Sequence, residues 1–122
     1  MMATVLVVDD SPINCELLRY MLAKQGHRVH AATDGAQAVA LARQLQPQLI
    51  LMDWQMPVMG GLEATRLLKG DPLTHHIPVV ALTAHAMDDE RERAMQAGCD
   101  GHCTKPIPFA RLGELVAMHC RS

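Results

Sequence analysis

The chain has 122 residues, 49% of them apolar, with one Phe, one Trp, one Tyr and a formal net charge of −2. That length makes one domain over residues 1–122, able to bury roughly two-thirds of its unfolded surface. The near-neutral balance offers no electrostatic footprint for nucleic acid or an anionic membrane. No apolar run reaches about 18 residues, and no basic stretch leads into an apolar one, so a cytoplasmic protein is expected.

With so few aromatics, Leu, Val, Ala and nine Met are expected to fill most of the core, helped by Tyr20, Trp54 and Phe109. Thr4–Val8 is an apolar run of strand length that ends on two adjacent carboxylates, Asp9 and Asp10. Side by side at a buried edge they repel and cost desolvation energy, so positive charge is expected between them. Ser11-Pro12 then opens a helix, with Ser as N-cap and Pro at the first position, where a missing N–H costs nothing. Ile13, Leu17, Leu18, Met21 and Leu22 are its expected core face, and Gly26 its stop.

Val29–Ala32 reads as a second strand. Asp34-Gly35-Ala36-Gln37 has the D-x-x-Q form of a capping box and opens a helix to about Gln46, with Val39, Leu41, Ala42 and Leu45 inward. Pro47 ends it. Residues 49–52 form a third strand finishing on Asp53. After the loop WQMPVMGG, a helix runs from Leu62 to about Lys69 and closes at Gly70-Asp71-Pro72.

A fourth strand, from Pro78 to Leu82, ends on Thr83. Asp88, Asp89 and Glu90 crowd the first turn of the next helix, where the macrodipole favours them, and Gly98 closes it. Gly101–Thr104 is a short fifth strand, followed by Lys105-Pro106 and a last helix from about Pro108 to Cys120, weakened by Gly113.

Five strand–helix units whose strands are continuously apolar imply an α/β domain with a parallel sheet covered on both faces. Ligands in such sheets bind beyond the carboxyl ends of the strands. That rule gathers Asp9 and Asp10 from strand 1, Asp53 from strand 3, Thr83 from strand 4, and Thr104 and Lys105 from strand 5. Three hard oxygen anions suit Mg²⁺, which keeps several waters and takes few carboxylates. A metal, an ammonium and a hydroxyl around a carboxylate make a site for a phosphoryl group, with the carboxylate as acceptor. Asp53, on the central strand, is the best placed acceptor.

The segments VLVVDDSPIN, LILMDWQMPVMGGLEA, PVVALTAH and AGCDGHCTKPI, in this order and spacing across nearly the whole chain, resemble the receiver domain of two-component response regulators. The opening DDSPIN and the run LTAHAM most resemble single-domain receivers and those attached to hybrid histidine kinases. The resemblance implies a flavodoxin-like doubly wound five-stranded parallel sheet in the order 2-1-3-4-5 with five helices. It implies Asp53 as phosphoacceptor, with Asp10, Asp53 and the carbonyl of Gln55 as direct ligands of Mg²⁺ and Asp9 acting through water. Thr83 and Lys105 would bind the phosphoryl group, and the peptide between Lys105 and Pro106 would be cis. The donor would be a phosphohistidine on a histidine kinase or histidine phosphotransfer protein. The output would be a changed face around helix 4, strand 5 and helix 5 that controls a downstream protein. Nucleic acid and membrane are not expected partners, the protein should be a monomer or weak dimer, and its only catalysis would be its own phosphorylation and slow hydrolysis.

One position departs from the family. Three residues before the lysine, where receivers usually carry Tyr or Phe, stands His102. It is either a surface-facing substitute or a rotamer switch with Thr83 whose propensity varies with pH, because histidine changes charge near neutrality. Other histidines draw less: His75 and His76 read as solvated loop residues, while His85 and Gln55 would border the phosphoryl group. The cysteines, Cys15, Cys99, Cys103 and Cys120, match no standard zinc spacing even with His102 and His119 nearby, and read as reduced thiols. A flavin carrier lacks a phosphate-cradling first loop, a metal-dependent phosphatase lacks a cap domain, and a never-phosphorylated scaffold would not need the full acidic and basic set. No output domain follows Ser122 in this sequence, which fits a stand-alone regulator and a piece of a hybrid kinase alike.

Overall fold

A computed structural model describes residues 3–54, 56, 59–83, 88–105 and 107–119, with the backbone alone at 88–91. Strands and helices alternate: β1 Thr4–Val8, α1 Pro12–Lys24, β2 Arg28–Ala32, α2 Gly35–Leu45, β3 Leu49–Asp53, α3 Gly61–Gly70, β4 Val79–Thr83, α4 Asp88–Ala97, β5 Gly101–Thr104 and α5 Phe109–His119. The strands form one parallel sheet in the order β2-β1-β3-β4-β5, as the resemblance implied. The three inner strands are buried almost throughout, which is why they read as unbroken apolar runs. The edge strands β2 and β5 are half-buried.

Alternation along each strand sends side chains to two cores. Val5, Val7, Leu49, Leu51, Val80 and Leu82 pack against α1 and α5 through Leu18, Leu22, Leu112 and Leu115. Leu6, Val8, Ile50, Met52, Val79 and Ala81 pack on the other face against Ala38, Ala42, Ala64, Leu68 and Ala94. Small Ala side chains on α2, α3 and α4 let those helices approach closely. Each fully buried Leu contributes about 1.5–3 kcal/mol, so these layers hold the sheet.

Local signals act as the sequence suggests at α1, where Ser11 Oγ accepts from the Asn14 N–H and Pro12 stands in the first turn. At α2 the capping box is offset. Asp34 Oδ1 accepts from the Gln37 N–H at 2.8 Å, but Gln37 Oε1 reaches past Asp34 to the Thr33 N–H at 2.9 Å.

Two expectations about the core are corrected. Ile13 and Leu17 are 80% and 54% exposed, and the inward face of α1 is Cys15, Leu18 and Leu22, with Met21 half-buried. Likewise, Val39, Leu41 and Leu45 are only half-buried, because Gly35, Ala38 and Ala42 form the inner line of α2. Nor do the aromatics fill the core: Tyr20 and Phe109 are exposed and Trp54 is half-buried.

Candidate functional site

The sheet register builds the site. Val8 lies opposite Met52 in the β1–β3 pair, so the next residues, Asp9 and Asp53, leave neighbouring strands at the same level. The ladder continues past the strands: Asp9 N–H donates to Ala32 O at 3.0 Å, Trp54 N–H to Leu82 O at 2.9 Å, and Lys105 N–H to Thr83 O at 2.7 Å. These bonds fix the backbone on which the functional side chains stand. Alternation then sorts them, since Asp9 and Asp53 follow the α1/α5 parity of Val7 and Leu51, whereas Thr83 follows the α4-side parity of Ala81.

Asp9 and Asp53 are 1% and 2% exposed, while Asp10 turns to solvent. Lys105 Nζ lies 2.9 Å from Asp53 Oδ1 and 3.3 Å from Asp9 Oδ2. The positive charge at this edge is thus the lysine ammonium, spanning two carboxylates from different strands. Asp9 and Asp10, adjacent in sequence, divide between interior and water. Burial opposes the charge on Lys105, but the hydrogen bond and charge of Asp53, then those of Asp9, outweigh it and hold the ammonium above its usual pKa.

Asp9 has supports that carry no clear sequence signal. Its Oδ1 accepts from the Ser11 N–H at 2.9 Å, and its carbonyl accepts from Cys15 Sγ at 3.3 Å. Both of its carboxylate oxygens are therefore engaged, one by the backbone and one by Lys105.

Carboxylate oxygens of Asp9, Asp10 and Asp53 come within 4.8 Å of one another, and among the described residues this is the one such cluster. Hard oxygen donors at that spacing, with at least one solvent-facing member, fit a small divalent cation that retains water. Gln55, whose carbonyl was expected as a ligand, lies outside the described residues, as do Pro106 and His85.

Thr83 is fully buried, and its Oγ1 stands 3.0 Å from His102 Nε2. His102 is half-buried and bonded inward, which is not the surface-facing arrangement. The cysteines do not assemble with it: Cys99 is buried on the α3/α4 face near Thr65, and Cys103 packs on the opposite face. Cys120 lies outside the described residues. His75 and His76 are exposed in the α3–β4 turn.

A parallel sheet of this order, bearing clustered carboxylates and a lysine beyond its carboxyl edge, has the flavodoxin-like doubly wound architecture, in which ligands bind at that edge. Residues 5–117 match the response regulator receiver domain, and the chain belongs to that family. Among its relatives, the polar-differentiation response regulator DivK of Brucella anthropi is 41% identical over 113 residues, covering 93% of this chain and 92% of that protein. The DivK of Brucella ovis is 40% identical over 116 residues, covering 95% and 94%. The receiver domain of a sensor histidine kinase from Pseudomonas aeruginosa superposes with a TM-score of 0.92 at 34% identity over all of both chains, and in that structure a magnesium ion is coordinated in the active-site cleft. Chemotaxis protein CheY4 of Vibrio cholerae has a TM-score of 0.91 at 28% identity, covering 98% of this chain and 99% of that one.

Proposed function

We propose that Asp53 accepts a phosphoryl group from a phosphohistidine on a histidine kinase or phosphotransfer protein, and that this switches the chain's α4–β5–α5 face for a downstream protein. The observation that carries the reading is the Lys105 ammonium held between Asp53 and Asp9. Three acidic groups so close need positive charge, and a phosphoryl group arriving there brings more negative charge. Lys105 is positioned to shift its bonds from carboxylate to phosphoryl oxygen, neutralising charge that grows as the group transfers.

Asp9 is held at both carboxylate oxygens, by the Ser11 N–H and Lys105, and Asp10 is exposed. Asp53, at the end of the central strand with Lys105 Nζ 2.9 Å from its Oδ1, is the acceptor in this reading. Asp10 and Asp53, with Asp9 through water and the Gln55 carbonyl, would hold Mg²⁺, which when bound supplies charge neutralisation and orientation of phosphoryl oxygens. The chain catalyses only its own phosphorylation and slow hydrolysis.

The conformational step runs through Thr83. Its hydroxyl leaves His102 to bond the phosphoryl group, and His102, losing that partner, rearranges in β5 beside α4. A protein donor is further supported by Ile13, Leu17 and Tyr20, an exposed apolar stripe on the helix that follows Asp10. No described helix is long and apolar enough to cross a membrane. Phosphotransfer from candidate histidine kinases with Mg²⁺ tests the reading: the wild type should be labelled and Asp53→Asn should not. Labelling that persists in Asp53→Asn would sink the acceptor assignment.

A further inference from the structure

Beside the carboxylate cluster, on the α1 and α5 side of the sheet, lies a cavity of about 290 Å³. Asp9 and Lys105 belong to its lining, so it opens onto the groups that surround the acceptor. Leu17, Met21 and Ile107 wall it, and among the described residues Asn14 is its one uncharged polar side chain. The Asn14 N–H is used in capping α1, but among the described residues no hydrogen bond reaches its carboxamide. The volume falls just below the roughly 300–1,000 Å³ of sites for drug-sized ligands, a scale that suits one small ring with a flanking side chain.

We propose that this cavity is the leaving-group pocket of phosphotransfer, in which Asn14 Oδ1 accepts a hydrogen bond from the donor imidazole. The proposal rests on the reading of Asp53 as acceptor from phosphohistidine. In that transfer the P–N bond breaks, its electron pair stays on the ring nitrogen, and a P–O bond forms to Asp53. An imidazole anion leaves poorly. When the opposite ring nitrogen carries a proton, the ring departs as neutral imidazole and the proton stays where it was.

An acceptor facing that N–H favours the protonated ring and fixes its orientation. Among the described residues Asp9 is the only carboxylate in the lining, and its oxygens already serve the Ser11 N–H and Lys105. Asn14 Oδ1, which no described group bonds, is the neutral acceptor that faces the cavity. Apolar walls exclude water that would compete for the same N–H.

The test compares two small donors on the intact chain with Mg²⁺, reading Asp53 phosphorylation by intact mass. N-phosphoimidazole carries the leaving group in question; acetyl phosphate expels acetate, which needs no proton. In Asn14→Leu, similar in shape but without an acceptor, the ratio of the phosphoimidazole rate to the acetyl phosphate rate should fall about tenfold, the scale of one hydrogen bond to a charged group. Asn14→Asp, which keeps an acceptor, should hold or raise that ratio. A ratio unmoved by Asn14→Leu, or lowered equally by both variants, overturns the pocket assignment. A wild-type chain labelled at Asp53 by neither donor overturns the acceptor reading, and the pocket with it.

Discussion

Thr83 Oγ1 and His102 Nε2 stand 3.0 Å apart across the β4–β5 pair. In register, Thr83 faces Thr104 and His102 faces Ala81, so the bond runs diagonally along the two strands on the α4 side. The hydroxyl proposed to bond a phosphoryl group on Asp53 is therefore already engaged, by the residue that departs from the family pattern. A net hydrogen bond contributes about 0.5–1.5 kcal/mol, which biases a two-state switch by roughly two- to tenfold.

Replacing the ring with one that cannot bond should release this bias. In His102→Phe the phosphorylated-like form should be favoured by about two- to tenfold. The Thr83 methyl resonance, followed with Mg²⁺ and a small phosphodonor, reads the populations. Equal populations in the two proteins would discard the bond to His102 as the source of the bias.

A divalent cation held by this cluster would share Asp9 and Asp53 with Lys105. Lys105→Met leaves Asp9 and Asp53 buried without their counter-charge. Loss of one partner of a buried pair costs about 3–5 kcal/mol, reduced here to about 1–3 because the lysine side chain is 28% exposed. Mg²⁺ should stabilise the wild type through linkage, by about 1.4 kcal/mol at tenfold over Kd, and so raise its Tm. It should raise the Tm of Lys105→Met by more, and that of Asp10→Asn by less. A smaller Mg²⁺ shift in Lys105→Met than in wild type would mean that lysine and metal do not share these oxygens.

The order of elements was legible in the sequence because each inner strand is an apolar run that stops at a polar residue, and those stops are also the candidate site residues. The helix faces were less so. On α1, two apolar series at helical spacing interleave, Ile13-Leu17-Met21 and Leu18-Leu22, and only packing against β1 and α5 selects the second, with Cys15 serving as a small hydrophobe. The presence of Asp9, Asp53 and Lys105 at strand ends could be read. That Lys105 bridges the two acids, and that Thr83 is held by His102 instead, depends on register and side-chain alternation that no single segment reports.

Two glycines make opposite predictions. A Cβ at Gly61 would stand 2.6 Å from the Asp53 carbonyl oxygen and 2.9 Å from Trp54 Cα, both backbone atoms of the segment that carries Asp53. Gly61→Ala should cost about 1–3 kcal/mol and slow phosphorylation of Asp53 by displacing it. At Gly113, inside α5, the nearest atoms are the amide end of Gln25 at 3.4 Å, which can move aside. Gly113→Ala should stabilise by about 0.5–1 kcal/mol through helix propensity. Urea unfolding measures both, and a destabilised Gly113→Ala would show that Gln25 is held rigidly by its 3.0 Å bond to Phe109 O.

Cys99 gives the protein an alkaline weakness. Burial, opposed by the Thr65 hydrogen bond and reinforced by Asp100, pushes its thiol from 9.0 up to about 11. The folded chain therefore keeps a proton that the unfolded chain releases between pH 9 and 11. In that window the unfolded state binds fewer protons, so stability falls as pH rises, at most by about 1.4 kcal/mol per pH unit from this group. Cys99→Ala should be less stable than wild type at pH 7, since it empties part of the α3/α4 core, yet lose stability less steeply between pH 9 and 11. Thiol reagents at pH 8 should modify the half-buried Cys103 in the native protein well before Cys99. Parallel stability slopes for wild type and Cys99→Ala across pH 9 to 11 would show that the thiol ionises as freely in the folded chain as in the unfolded one.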